Sequence, residues 1–492
     1  MDTGLPQPSR SESDELRTPR RLIPQRYVVT LMILLVVINS YANRDTLMYT
    51  IQYFAEISQK KHLYKNVTIG QHCEILQDNY HKTSSLVQNT TTKLVKLEQS
   101  SVGTINAILF VSYLPTHILG GIYSDSRSPK RVISISTLVT SVINICTPVL
   151  ISATKSNLTV LKVLRLLMGI SQGAFLPAST TLMAHWAPVR ERASISTISV
   201  SGLYIGLICS KICTSILVES SGSWSTPYYV FGAMGIVIAL LWELWVFPNP
   251  EKDPRITPEE KDYLAVELRE IVDHRRKDIP YRAILTSFHV WVLIVAFIAY
   301  RWIGNFFAFT LPEYLEVVLK YNERESLLIS SLPFLPITVI LILSGFLSDW
   351  IVRNGYINLI TVRKVFSTIG MMGPPIYMLT GSFASCNRFA AVVLFVLALS
   401  LMVFTFLGLY LITLDLGPNY AGFTTSLTNG LGNISWVFLN KVKDIIAPDK
   451  TVLQYRKLFW LSMVIAVVTN TIFMIFGTTK VQAWNKPLVK GK

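Results

Sequence analysis

The chain has 492 residues, a formal net charge of +15, 51% hydrophobic and only 15% charged side chains, where an average soluble domain carries about 25% charged residues. This composition excludes an ordinary soluble globular domain, and repeated apolar runs of about 18–25 residues read as transmembrane helices. The positive charge does not indicate a nucleic-acid partner, because the cations gather at the ends of apolar runs: Arg10, Arg17, Arg20, Arg21 and Arg26 before the first, Arg127, Lys130 and Arg131 after the second, Arg190 and Arg192 after the fourth, Arg363 and Lys364 before the ninth. That is the positive-inside pattern, and it places both termini in the cytosol.

Residues 1–26 form a polar cytosolic tail without a cleavable signal, so the run beginning near Tyr27 serves as its own insertion signal. Apolar runs fall at about 27–55, 101–122, 132–152, 158–183, 195–218 and 227–247, then at 288–311, 326–347, 365–381, 389–414, 422–440 and 456–477. The expected fold is an all-α membrane protein of about twelve transmembrane helices in two six-helix halves, 27–247 and 288–477. A cytosolic link, 248–287, joins them, and 478–492 is a cytosolic tail. In the link, Thr257-Pro258-Glu259-Glu260 has the form of a capping box opening a helix through Leu264, Leu268 and Ile271 along the membrane surface.

The first span carries Arg44 and the fourth Arg165. A charge at bilayer depth costs about 2.5–3.5 kcal/mol even on lenient scales, so such residues line a cavity and mark a substrate path. Both are cations in spans poor in acids, which favours an anion as the cargo. Asp45 adjoins Arg44, but neighbouring positions on a helix do not face each other, so no local ion pair is expected.

Residues 56–100 form an external loop with sequons at Asn66 and Asn89, on the side opposite the basic tail. The sequons at Asn157, close to the membrane, and Asn433, within a span, are expected to stay unused. Removing the Asn66 and Asn89 sequons together is expected to increase the gel mobility of protein made in mammalian cells. Unchanged mobility with an externally accessible N-terminal tag would reverse the orientation. The five cysteines, Cys73, Cys146, Cys209, Cys213 and Cys386, show no metal-site spacing.

After the second span comes Gly121-Ile-Tyr-Ser-Asp125-Ser-Arg127, and after the eighth Gly345-Phe-Leu-Ser-Asp349-Trp-Ile-Val-Arg353. A glycine that lets helices approach and an aspartate among cations recur at matching positions, the sign of a duplicated transporter plan. This loop resembles the signature of the major facilitator superfamily. The fourth span, Arg165-Leu-Leu-Met-Gly169-Ile-Ser-Gln172-Gly173 through Pro177, followed by Trp186-Ala-Pro-Val-Arg190-Glu-Arg192, resembles the anion/cation symporter family, which includes phosphate, sialate, vesicular glutamate and nucleotide transporters. Tyr228-Tyr-Val-Phe-Gly232, Leu311-Pro-Glu-Tyr314, Asp415-Leu-Gly-Pro418 and Gln482-Ala-Trp484 extend the likeness to the C-terminus.

The resemblance implies alternating-access transport of a small anion, with Arg44, Arg165, Gln172 and Asn429 at the substrate and Tyr113 and Arg301 beside them. Arg301 stands one position from where some relatives place a second substrate arginine. Tyr113, Asn305 and Asn429 serve equally well as helix-packing groups. Proton-coupled relatives carry glutamates where this chain has Met168 and Gln172, and a histidine where it has Thr180. None of the three takes up a proton near neutral pH, so sodium coupling, exchange or facilitated movement is expected. The remaining deep coupling candidates are Asp45 and His117, the latter reading first as a hydrogen-bonded core histidine. Lys211 either adds charge to the cavity or snorkels outward.

Gly169/Gly173 and Gly202/Gly206 are packing pairs, and Pro115 and Pro336 are expected to kink their helices. An uncoupled anion channel is the alternative function; the spans hold no nucleophile–base pair or phosphate loop that would make an enzyme. No cofactor is expected beyond a co-transported sodium ion or proton, and no metal. The expected partners are the anion and the lipid bilayer, with the chain working as a monomer. The plasma membrane is favoured over lysosomal or vesicular membranes.

Overall fold

A computed structural model describes residues 23–58, 95–154, 157–268, 278–319, 332–384 and 387–485, with single positions at 272, 321 and 329. The sequons at Asn66 and Asn89, with Cys73, Cys386 and Ile271, lie outside the described residues.

The apolar runs become helices because they are long, rich in Leu, Ile, Val and Ala, and able to satisfy every backbone group internally, as lipid demands. The first set comprises α1 (Gln25–Phe54), α2 (Gln99–Ser126), α3 (Pro129–Ala153), α4 (Leu158–Gly173), α5 (Phe175–Trp186), α6 (Arg192–Ser221) and α7 (Thr226–Trp245). The link carries α8 (Pro258–Leu268) and α9 (Tyr281–Leu285). The second set comprises α10 (Phe288–Asn305), α11 (Leu311–Val317), α12 (Phe334–Arg353), α13 (Leu359–Phe383), α14 (Arg388–Met402), α15 (Leu411–Leu416), α16 (Ala421–Gly432), α17 (Ser435–Ile446) and α18 (Val452–Phe476).

Among the described residues, ten stretches are long and apolar enough to cross a membrane. The runs expected at 365–381 and 422–440 are filled by α13 and by the broken pair α16–α17, which are not among those ten. The α16 segment is short, and its Thr424, Thr425, Ser426, Thr428 and Asn429 are all buried. Single π-helical turns, Phe306–Thr310 and Phe406–Tyr410, join α10 to α11 and lead into α15. A two-stranded parallel ribbon, β1 (Ala55–Ser58) with β2 (Val95–Glu98), flanks the external loop and is the one departure from an all-helical plan among the described residues.

Two local expectations need correction. Pro336 is the third residue of α12, in the first turn, where it removes no intrahelical hydrogen bond and forces no kink. The capping box at Thr257 is half formed: Glu260 N donates to Thr257 Oγ1 at 3.3 Å, but the Glu260 carboxylate turns away. It instead accepts from the first amides of α1, Gln25 N at 2.7 Å and Arg26 N at 3.1 Å, where a carboxylate meets free N–H groups and the helix dipole. The link helix thus docks on the bundle, with Leu264 and Leu268 buried in the main core. The glycine pairs pack as expected. A Cβ on Gly169 would strike Ser112 and Leu109 of α2, and one on Gly202 or Gly206 would strike α1.

Candidate functional site

The two sets of helices meet at the end that carries the basic residues. Asp125, at the end of α2, accepts from Gly422 N (3.1 Å), Phe423 N (2.7 Å) and Thr181 Oγ1 (2.6 Å), capping the start of α16 in the other set. Asp349, at the matching place on α12, accepts from Ala193 N (3.0 Å), Ser194 N (2.7 Å) and Ser194 Oγ (2.6 Å), capping α6. Each carboxylate satisfies amides that a helix start leaves without internal partners. The glycines beside them allow the contact: a Cβ on Gly121 would lie 2.6 Å from Gly422 O, and one on Gly345 would meet Thr197 and Ala193.

Arg127 lies just past α2 and Arg353 closes α12, both at helix C-termini, where a cation is favourable. A third tie joins the sets: Arg192 Nη1 donates to Asp415 Oδ1 at 2.8 Å, and Arg363 Nε to Asp415 Oδ2 at 3.0 Å. These three side chains are 1–2% exposed. The basic end is therefore closed. A recess of about 810 Å³ lined by Asp125, Arg127, Lys130 and Arg131 opens on this face.

Beyond the closure, tyrosines from both sets gather around Arg301. Tyr41 (α1), Tyr113 (α2), Tyr204 (α6), Tyr300 (α10) and Tyr410 (the second π turn) lie within electrostatic range of Arg301, of one another, or of both. Two guanidiniums face this group. Arg44 stacks its Cζ 4.2 Å over Tyr41 and approaches Phe110 at 6.0 Å. Arg301 stands 5.5 Å over Tyr300 and donates to Asn429 Oδ1 through Nε at 2.7 Å. Each is held by aromatic faces.

The structure brings together Arg44, Tyr113, Arg301, Asn429 and His117 from the sequence-derived set, and it sets two members apart. Arg165 is buried behind α1, where Nη1 donates to the Arg44 carbonyl oxygen at 2.7 Å and to Met168 Sδ at 3.4 Å. Its Nε and Nη2 have no hydrogen-bond partner, and the residue borders a cavity of about 10 Å³ also lined by Asn43 and Asn144. Gln172 donates to the Ser40 carbonyl at 3.0 Å. Arg165, Met168, Gly169 and Gln172 share a face, and that whole face is used in packing within the first set.

The Arg44–Asp45 pair contradicts the expectation that neighbours cannot meet: Arg44 Nε lies 3.2 Å from Asp45 Oδ1. Arginine's long stem curls back, a freedom that the argument from helix faces ignores. Asn305 Nδ2 donates to Ser435 Oγ at 3.2 Å, a packing bond. Lys211 is half-buried on α6. Asn157 caps α4, accepting from Thr159 N. Tyr41, Tyr204, Tyr300 and Tyr410 were not singled out in the sequence, because a tyrosine inside an apolar run reads as ordinary core. The doubling of tyrosine and arginine at Tyr41/Arg44 and Tyr300/Arg301 was the available signal. No group of three or more His, Cys, Asp or Glu that could hold a metal occurs among the described residues.

Comparison with known proteins supplies the family context. The sequence model of the Major Facilitator Superfamily matches residues 33–440. Human sialin is 30% identical over 396 residues, covering 80% of this chain and 79% of sialin. Sodium-dependent phosphate transport protein 1 of Rattus norvegicus is 27% identical over 384 residues, covering 78% and 82%. Among solved structures, the proton:xylose symporter XylE bound to 6-bromo-6-deoxy-D-glucose superposes with a TM-score of 0.66 over 93% of this chain and 97% of that one. At 12% sequence identity that likeness concerns the fold alone.

Proposed function

This chain belongs to the major facilitator superfamily and, within it, to the sialin-like anion/cation symporter family, and from that premise we propose that Arg44 and Arg301 receive an organic or inorganic anion among the tyrosines gathered around Arg301. The protein is an integral, multi-pass secondary transporter working by alternating access, and not an enzyme. The observation that carries the proposal is a pair of guanidiniums, one from each helix set, both near Tyr113 and beyond a closed basic end. An anion between them gains charge-assisted contacts from both sets, which gives it purchase on a rocking motion. One chain supplies both cations and the closure, which supports a monomeric transporting unit.

We propose further that transport is driven by sodium or membrane potential rather than by protons. Met168 and Thr180 are buried, the one packed against Leu109 and Ile143 and the other bonded to the Leu176 carbonyl. Gln172 is bonded to Ser40. None titrates near neutrality. The test is uptake of labelled phosphate, sialate, glutamate, urate and nucleotide into proteoliposomes, with sodium and pH gradients imposed separately. Saturable uptake stimulated by the same anion on the far side is expected, and its absence would mark a channel. Concentrative uptake driven by a pH gradient alone, with the potential clamped, would sink the coupling proposal.

A further inference from the structure

A directed line of hydrogen bonds crosses the seam between the helix sets. Arg301 on α10 donates to Asn429 Oδ1 through Nε at 2.7 Å and also through Nη2. Asn429 Nδ2, on α16, lies 3.0 Å from His117 Nε2 on α2. His117 Nδ1 lies 2.8 Å from the carbonyl oxygen of Gly173, the last residue of α4. His117 and Asn429 are fully buried.

Donor and acceptor roles follow from the two ends. The Gly173 carbonyl can only accept, so Nδ1 carries the hydrogen, and in a neutral imidazole Nε2 then holds the lone pair. Arginine can only donate, so Asn429 must turn its oxygen to Arg301 and its amide nitrogen to His117. Reversing the amide would oppose donor to donor at Arg301 and oxygen to lone pair at His117. The imidazole is held in place by Tyr113, stacked at 5.0 Å between ring centroids.

We infer that His117 is a positioning residue for the anion site: as a neutral acceptor it fixes the Asn429 amide, and through it the Arg301 guanidinium. The His117–Asn429 bond also ties α2 to α16, so it parts when the basic end opens and forms again when that end closes. The orientation of Arg301 is thereby coupled to the state of the closure. This inference rests on the proposed function of Arg301 as an anion-binding group.

The test separates the two nitrogens. In His117→Gln the side-chain oxygen reaches the place of Nε2 and can accept from Asn429, while the Gly173 bond is lost. In His117→Asn the amide reaches only the place of Nδ1, keeping the Gly173 bond and losing Asn429. Full-length variants are reconstituted, and uptake is measured with whichever of phosphate, sialate, glutamate, urate or nucleotide the wild type carries. His117→Gln is expected to keep KM within about twofold of wild type, and His117→Asn to raise it about tenfold, the scale of one misaligned charge-assisted contact.

His117→Phe, which keeps ring volume without nitrogen, replaces the asparagine variant if that one is not monodisperse. Equal KM in the glutamine and asparagine variants would overturn the inference. Arg301→Ala is the control for the underlying reading. If it leaves KM unchanged, the anion site itself is misplaced; if it raises KM while His117→Asn does not, only the positioning by His117 fails. In the Arg301→Ala background, adding His117→Asn is expected to change KM no further.

Discussion

Replacing Asp415 with alanine is expected to cost the protein most of its thermal stability and its surface expression. Asp415 holds Arg192 on one oxygen and Arg363 on the other, all three inside the protein. Removing one partner of a buried ion pair costs about 3–5 kcal/mol, because a charge stays behind without compensation. Here two guanidiniums would be stranded, and Arg192 already has Nε and Nη2 without partners. The expected readout is a melting temperature lowered by many degrees in detergent, or loss of the folded protein altogether. Replacing the whole triad, Arg192→Met with Arg363→Met and Asp415→Leu, should recover much of the stability, since well-packed apolar groups substitute for buried ion clusters at little cost. An Asp415→Ala variant that melts like wild type would show that the triad does not hold the basic end closed.

Arg44→Ala is expected to abolish measurable uptake while the protein still reaches the membrane. Its guanidinium is stacked on Tyr41 and only partly buried, so little of the fold depends on it. The loss of one charge-assisted contact to an anion amounts to about 1.5–3 kcal/mol, or roughly tenfold to over a hundredfold in affinity. Arg44→Lys should recover only part, because an ammonium lacks the planar fork and the stacking surface. Uptake at wild-type rates and KM by the alanine variant would remove Arg44 from the site. Arg165 makes an instructive contrast. With two unpartnered donors in the interior, Arg165→Met should leave the melting temperature unchanged or higher, whatever it does to transport.

The sequence reveals what is local and what is repeated. Helix positions follow from runs of apolar residues, and the paired Gly121–Asp125 and Gly345–Asp349 segments mark the closure because they occur twice in register. The partners of those aspartates, Gly422 and Phe423, Ala193 and Ser194, lie in distant helices and are set by packing. Cost alone shows that Arg165 must be accommodated, but a buried guanidinium can turn to a cavity or to a backbone carbonyl, and nothing in the sequence distinguishes the two. Glu260 misleads in the same way: its spacing from Thr257 fits a local cap, yet the free amides at the start of α1 are the better-placed donors to its carboxylate.

The polar character of α16 bears on how the chain is made. A translocon admits segments to lipid largely by their apolarity, and this one offers a short stretch crowded with hydroxyl and amide side chains that ends at Gly432. Alone it is a poor candidate for lateral release into the bilayer. Its buried threonines and Asn429 become acceptable only against neighbours made before it: α10, several helices earlier, and α2, much earlier still. Membrane integration of this segment is therefore a late, assisted step that waits on helices already in place. A substitution in α2 that leaves α2 itself inserted can still cause the nascent chain to fail some three hundred residues downstream, at the threading of α16.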